Sequence, residues 1–241
     1  MSAEPHGKVA LVTGGTRGIG RAIVEALFDE GWRVFVCGRT PALVAAAERE
    51  LRARFGERVA GRPTDVRRQE EVEALVAWVL QEAGRLDCLV NNAGLGIFGA
   101  VDELSGDAFR EVLETNLHGA FYAIRAASPA MVRQGRGWIV NVASLAAKNP
   151  FAGGAAYNAS KFGMVGMSEA AMLDLRHRGV RVAAILPGSV ATEFRQGRPA
   201  AETEWMLQPQ DVARAVTDLL RYPDRALPSL IEMRPSRPPR K

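Results

Sequence analysis

Apolar runs of strand length recur along the chain at Val9–Val12, Arg33–Cys37, Leu86–Val90, Trp138–Val142 and Arg181–Leu186, with a weaker run at Arg58–Gly61 and a last one at Ser229–Met233. Their near-continuous hydrophobicity is the pattern of strands covered on both faces, as in parallel sheets. Between them lie segments of helical period at Ile19–Glu30, Pro41–Phe55, Glu70–Ala83, Asp107–Gln134, Ala155–His177 and Pro209–Tyr222. This alternation predicts an α/β fold with one doubly wound parallel sheet of about seven strands and helices on both faces. No stretch has the composition of an internal linker, so residues 1–241 read as a single domain with loose ends at 1–6 and 235–241. The segment Ala155–His177 is apolar or small around almost its whole circumference, from Ala155 and Ala159 through Phe162 and Gly166 to Leu173. One face can cover the sheet; the other needs a second cover, which predicts a homodimer or homotetramer, the alternative being a loop folded over that face.

Composition narrows the classes. The chain has 241 residues and 47% hydrophobic content, enough for a substantial core. No run of about 18 apolar residues occurs, and Met1–His6 lacks the apolar core of a secretion signal, so the sequence predicts a cytoplasmic protein without membrane partners. The net charge of +4 comes partly from the segment Arg234–Lys241, which has no aromatic residue interleaved to stack on bases and reads as a solvated end rather than a nucleic-acid arm. Cys37 and Cys88 fall in the second and fourth strands in chain order. With the first strand between them they stand about two 4.8 Å steps apart, beyond the roughly 7 Å a disulfide can span. His6, His118 and His177 show no metal-like clustering, and no metal is expected.

Two motifs carry chemistry. The first strand runs into Thr13-Gly14-Gly15-Thr16-Arg17-Gly18-Ile19-Gly20, and the first helix follows. Gly14 suits a tight turn, Gly18 admits a pyrophosphate against backbone, and Gly20 permits close helix–strand packing. Further on, Tyr157 and Lys161 are four residues apart on one helix, thirteen residues after Ser144. A phenol titrates near pH ~10, so proton exchange near neutrality requires its phenolate to be favoured by about 4 kcal/mol. A lysine cation ~4 Å away supplies about that much at an effective dielectric of ~20, and positions i and i+4 share a helix face.

These motifs, together with Asp65-Val66, Asn91-Asn92-Ala93-Gly94, Asn116, Ser144 and Pro187-Gly188, occur in an order that resembles the short-chain dehydrogenase/reductase family over about 220 residues. The resemblance implies a Rossmann-like domain and hydride transfer between a nicotinamide dinucleotide and a carbonyl or secondary-alcohol substrate. It implies that Tyr157 is the general acid/base, that Ser144 hydrogen-bonds the substrate oxygen, and that Lys161 favours the phenolate and binds the nicotinamide ribose. Asn116 would hold a water that relays protons to Lys161. For the cofactor it implies Gly14, Thr16, Arg17, Gly18, Ile19 and Gly20 at the phosphates, Asp65 and Val66 at the adenine, Asn92, Ala93 and Gly94 along the cleft, and Pro187, Gly188, Val190 and Thr192 at the nicotinamide end.

The second strand ends in Cys37-Gly38-Arg39, with no acid where an NAD site offers one to the adenosine ribose. Arg17 and Arg39 instead match a 2′-phosphate, so NADP(H) is expected over NAD(H). Residues 191–208 resemble the family's variable substrate loop and carry Phe194, Arg195, Arg198, Trp205, Met206 and Leu207. Leu95, Ile97, Phe98, Leu145 and Phe151 are further pocket candidates, and Arg195, Arg198 and Lys148 read as solvated charges, the alternative being attraction of an acidic carrier such as an acyl-carrier protein or coenzyme A. Three functions remain open: an NADPH-dependent ketone or aldehyde reductase, a 3-oxoacyl-thioester reductase, and a non-catalytic NADPH-binding regulator, which would have no need of Ser144, Tyr157 and Lys161 together.

Overall fold

A computed structural model describes residues 7–192 and 203–239. Seven strands, β1 (Val9–Thr13), β2 (Arg33–Gly38), β3 (Val59–Pro63), β4 (Cys88–Asn91), β5 (Gly137–Val142), β6 (Val180–Pro187) and β7 (Leu230–Met233), form one parallel sheet in the order β3-β2-β1-β4-β5-β6-β7. The order reverses between β1 and β4, where doubly wound sheets open a crevice at their carboxyl ends. The helices are α1 (Gly18–Asp29), α2 (Pro41–Phe55), α3 (Gln69–Ala83), α4 (Gly106–Leu113), α5 (Gly119–Gln134), α6 (Ala155–Leu175) and α7 (Pro209–Leu220).

The continuous apolar strands are explained by burial on both sides. Ala10, Val12, Val34, Val36, Val90 and Val140 face a core shared with α1 and α7, whereas Leu11, Phe35, Leu89 and Ile139 face one shared with α3 and α5. Cys88 belongs to the first core and Cys37 to the second, with β1 between their strands, so the two thiols lie on opposite faces of the sheet. Burial pushes the Cys37 thiol up to about 12 and raises Cys88 as well.

The segment expected as one helix over Asp107–Gln134 is interrupted by a five-residue π-turn, Glu114–His118, between α4 and α5. Such single-turn widenings are frequent at functional sites, and this one contains the fully buried Asn116. Under α6 a second polar feature crosses the core: Asn91 Nδ2 donates to Asn141 Oδ1 at 2.8 Å, Asn141 Nδ2 to Ser168 Oγ at 2.8 Å, and Ser168 Oγ to the Met164 carbonyl at 2.6 Å. This chain of bonds fixes β4, β5 and α6 in one register. Truncating its middle member leaves two buried groups unsatisfied, at about 1–3 kcal/mol each. Asn141→Ala is therefore expected to lower the melting temperature by roughly 5 °C or more, since a domain of this size loses about 2–4 °C per kcal/mol; a calorimetric scan checks this.

Candidate active site

The turn after β1 is shaped by contacts that only glycine permits. A Cβ on Gly20 would lie 2.2 Å from the Gly14 carbonyl oxygen and 2.4 Å from Asn92 Nδ2, so this position brings α1 against the strand ends. Gly18 has a φ of +55°, and a Cβ there would meet nothing closer than Thr192 at 3.6 Å. Its surface therefore faces an open cleft. The turn is braced from β4: Asn92 Nδ2 donates to the carbonyls of Thr13 (3.0 Å) and Gly14 (3.1 Å), and Thr13 Oγ1 accepts from the amides of Asn92 (3.0 Å) and Ala93 (3.1 Å). Helix α1 has no side-chain cap and no acid in its first turn, which leaves its amino-terminal N–H groups facing the cleft.

The cleft holds about 790 Å³ and runs along the carboxyl ends of the strands. Its walls include Gly14, Thr16, Arg17, Gly18, Ile19 and Gly20 after β1, Arg39 after β2, Asp65 and Val66 after β3, Asn92, Ala93 and Gly94 after β4, and Ser144, Tyr157, Lys161, Pro187, Gly188, Val190 and Thr192. Of the catalytic and cofactor residues expected from the sequence, Asn116 alone is absent from the walls.

Lys161 is the most constrained group in the cleft. It is only 5% exposed, and its Nζ donates to the Val142 carbonyl at the end of β5 (3.0 Å) while standing 5.7 Å from the centre of the Tyr157 ring. Burial pushes the ammonium down from 10.5 to about 8, so it remains a cation at neutral pH. Ser144 directly follows this part of the sheet; its Oγ accepts from the Ala146 amide at 3.1 Å and so keeps the hydroxyl proton to donate into the cleft. Asn116 sits behind the wall. Its Oδ1 accepts from the Leu95 amide (2.8 Å) and its Nδ2 donates to the Leu95 carbonyl (2.9 Å) and to Ser160 Oγ (3.0 Å). Ser160 in turn donates to the Tyr157 carbonyl at 2.8 Å, so Asn116 ties the chain after β4 to the turn of α6 that carries Tyr157.

At the far end of the cleft lies a charge cluster that sequence spacing did not single out. Arg67 grips Asp65 through Nε (3.0 Å) and Nη2 (2.6 Å) and reaches Glu111 through Nη1 (3.1 Å), while Arg39 Nη1 meets the same Glu111 oxygen at 3.4 Å. The Arg67 guanidinium holds the Asp65 carboxyl below the usual carboxylate range. Arg67 lines the cleft beside Asp65, and Thr115 lines it next to the buried Asn116. Thr115 Oγ1 is buried without a hydrogen-bond partner, an acceptor and donor for a ligand in the cleft. The open cradle at Gly18, the uncapped α1 and the orphaned Thr115 hydroxyl fit a bound dinucleotide.

The substrate side is aromatic. Phe98 and Phe151 stand with ring centres 5.8 Å and 6.4 Å from that of Tyr157 and 5.8 Å from one another, and both are partly exposed to the cleft. Leu95, Leu145 and Trp205 also line it. Three expected pocket residues do not: Met206 is buried, and Ile97 and Leu207 lie off the cleft wall. Phe194, Arg195 and Arg198 fall outside the described residues. Lys148 is not a free surface charge, since it pairs with Glu232 on β7. The segment expected as a solvated end contributes Arg234, Pro235 and Pro238 to the cleft.

Comparison with known proteins agrees with this geometry. The family model described as short chain dehydrogenase matches residues 8–203. A Streptomyces coelicolor protein provisionally named ketoacyl reductase is 44% identical over 192 residues, 79% of this chain and 73% of that protein. An alcohol dehydrogenase from the archaeon Thermococcus sibiricus, solved with 5-hydroxy-NADP, superposes with a TM-score of 0.88 at 30% identity, covering 97% of this chain and 99% of the other. A single-residue variant of the actinorhodin polyketide ketoreductase, solved with NADPH, superposes with a TM-score of 0.86 at 36% identity, covering 95% of this chain and 96% of the other. The protein is a member of the short-chain dehydrogenase family, a nicotinamide-dependent oxidoreductase acting on C=O and CH–OH groups of small molecules.

Proposed function

We propose that the protein is an NADP(H)-dependent carbonyl reductase working in the cytoplasm, with Tyr157 as its general acid/base. The observation that carries this reading is the buried Lys161 ammonium, fixed on the Val142 carbonyl beside the Tyr157 ring and on the same cleft wall as Ser144. When bound, the reduced dinucleotide supplies a hydride to the carbonyl carbon. Ser144 donates its hydroxyl proton as a hydrogen bond to the carbonyl oxygen and orients it. Tyr157 transfers its phenolic proton to that oxygen as the C=O π bond is broken. The Lys161 cation lowers the energy of the phenolate left behind and offers further N–H donors to a ribose. Asn116, expected to hold a water that relays protons to Lys161, has its side-chain amide engaged with Leu95 and Ser160, and through these bonds it also holds the start of α6 against the chain after β4. Gly14 through Gly20 would receive the pyrophosphate, Asn92 to Gly94 and Pro187 to Thr192 would line the nicotinamide half, and Asp65 and Val66 would meet the adenine.

NADP(H) preference is supported by the cleft end beyond β2, where Arg39 is more than half exposed and uses one N–H on Glu111. Its remaining guanidinium donors suit a 2′-phosphate. No acid follows β2 to hold a bare ribose diol. A 3-oxoacyl-thioester reductase remains the second reading, supported by the ketoreductase relatives. The two buried, unpaired cysteines suit a reducing compartment.

Absorbance assays with cyclohexanone, benzaldehyde and an acetoacetyl thioester, run with each dinucleotide, test the whole reading. Turnover with at least tenfold higher kcat/KM for NADPH than for NADH is expected, with Arg39→Ala removing most of that preference. Tyr157→Phe is expected to lose at least about 100-fold in kcat, the usual scale of a positioned proton donor. Equal turnover by the Tyr157→Phe variant would remove Tyr157 from the mechanism, and equal efficiency with the two dinucleotides would remove the NADP(H) assignment.

We also infer a homodimer or homotetramer. Helix α6 exposes the row Ala159, Phe162, Gly166, Ala170 and Leu173, with Phe162 46% and Leu173 54% exposed, and Phe109 on α4 and Phe121 on α5 are exposed as well. Such a row of small and large apolar groups suits a second copy of the chain. Sedimentation at micromolar concentration should show a dimer or larger species; a monomer alone would contradict the inference.

A further inference from the structure

The cleft wall contains a part that the family match does not reach. The matched residues end at 203, yet Trp205, Arg234, Pro235 and Pro238 line the same cleft as Ser144 and Tyr157. The chain beyond β7 is led there by contacts at its base. The Gly188 amide donates to the Met233 carbonyl at 2.8 Å. A Cβ built on Gly188 would stand 3.0 Å from Pro235 Cδ and 3.2 Å from Leu145 Cδ1, so this glycine is the point at which the chain after β7 crosses the residue following Ser144. A side chain there would force the two apart.

An ionic clamp secures the crossing. Glu232 on β7 accepts from Lys148 Nζ through one carboxylate oxygen and from Arg234 Nη2 through the other (2.8 Å). Lys148 closes the short helical turn Leu145–Ala147 that Ser144 opens. Glu232 therefore joins the loop carrying Ser144 to the base of the segment Arg234–Pro239. Pro235 and Pro238, with fixed φ and no N–H, stiffen the cleft-facing part of that segment beside Arg234.

We propose that the segment Arg234–Pro239 is a specificity-determining wall of the substrate compartment. It rests on the proposed function, in that the nicotinamide and the carbonyl meet between Ser144, Tyr157 and Gly188. Pro235 meets Leu145 at Gly188, and Pro235 and Pro238 line the same cleft as Phe98 and Phe151; together they favour a compact apolar ketone while limiting its size. Resting on Gly188, the wall shields the nicotinamide end from water.

The test compares the full chain with a deletion of residues 235–241 and with the double substitution Pro235→Gly/Pro238→Gly. NADPH binding is measured from dihydronicotinamide fluorescence, and shielding from the quenching of that fluorescence by acrylamide. The expected result is an NADPH Kd within twofold of the full chain, a quenching constant at least doubled, and a kcat/KM ratio for 1-tetralone over cyclohexanone raised at least fivefold. An unchanged quenching constant in both variants would overturn the wall even if neither ketone were turned over, and an unchanged ketone ratio would overturn its role in specificity. A full chain that fails to bind NADPH would remove the proposed function, and the wall with it.

Discussion

The bond from Lys161 Nζ to the Val142 carbonyl is the constraint around which the cleft is arranged. A lysine cation is costly to bury: a shift from 10.5 to about 8 corresponds to about 3 kcal/mol against the charged form. Below pH 8 the fold carries that cost in full. Between pH 8 and 10.5 the unfolded chain still binds the proton while the folded one does not, so the cost is progressively removed as pH rises. An otherwise unfavourable residue is held at the end of a central strand, beneath the ring of Tyr157, by one carbonyl and the packing of α6. The polar chain Asn91–Asn141–Ser168 sets α6 against β4 and β5, and the Asn116–Ser160 bond anchors its first turns. The lysine's position makes sense as chemistry rather than as stability.

The parallel sheet places everything else relative to that charge. The glycine turn follows β1, Asn92 follows β4, Ser144 follows β5 and Gly188 follows β6, so all project from one edge of the sheet. Because the strand order reverses between β1 and β4, helices leave that edge on opposite sides and open the crevice. Rigidity comes from the doubly covered strands, whose alternate residues enter two separate cores. The charges at the outer end, Asp65, Arg67, Glu111 and Arg39, and the aromatic groups at the inner end give one cleft two chemically distinct halves.

Much of this was legible in the sequence because it is written in local patterns. Apolar runs located all seven strands, and Pro41–Phe55 is a helix with the bounds its periodicity indicated. The glycines, Ser144, Tyr157 and Lys161 are legible because their spacing is itself the geometry, a turn or one helical face. The parts that escaped depend on contacts between distant residues. Glu111 meets Arg39 and Arg67 across 72 and 44 positions, which no spacing encodes. The π-turn at Asn116 reads as ordinary helix until its side chain is seen bonded to Leu95. The segment Arg234–Pro239 looks solvated by composition, and only the Lys148–Glu232–Arg234 cluster and the bare surface of Gly188 bring it over the cleft. Met206 is apolar in a loop near the pocket, yet its side chain fills the interior, leaving Trp205 at the wall.

The most direct test of the buried cation is a titration of the lysine side chains by ¹³Cε NMR in the protein without dinucleotide. The chain has lysines at positions 8, 148, 161 and 241, and a Lys161→Met variant assigns the signal of interest. One resonance titrating near pH 8 and missing from the variant is the expected result. A Lys161 resonance titrating near 10.5 would mean that its ammonium is not desolvated, and would contradict a cation buried on Val142 beside Tyr157.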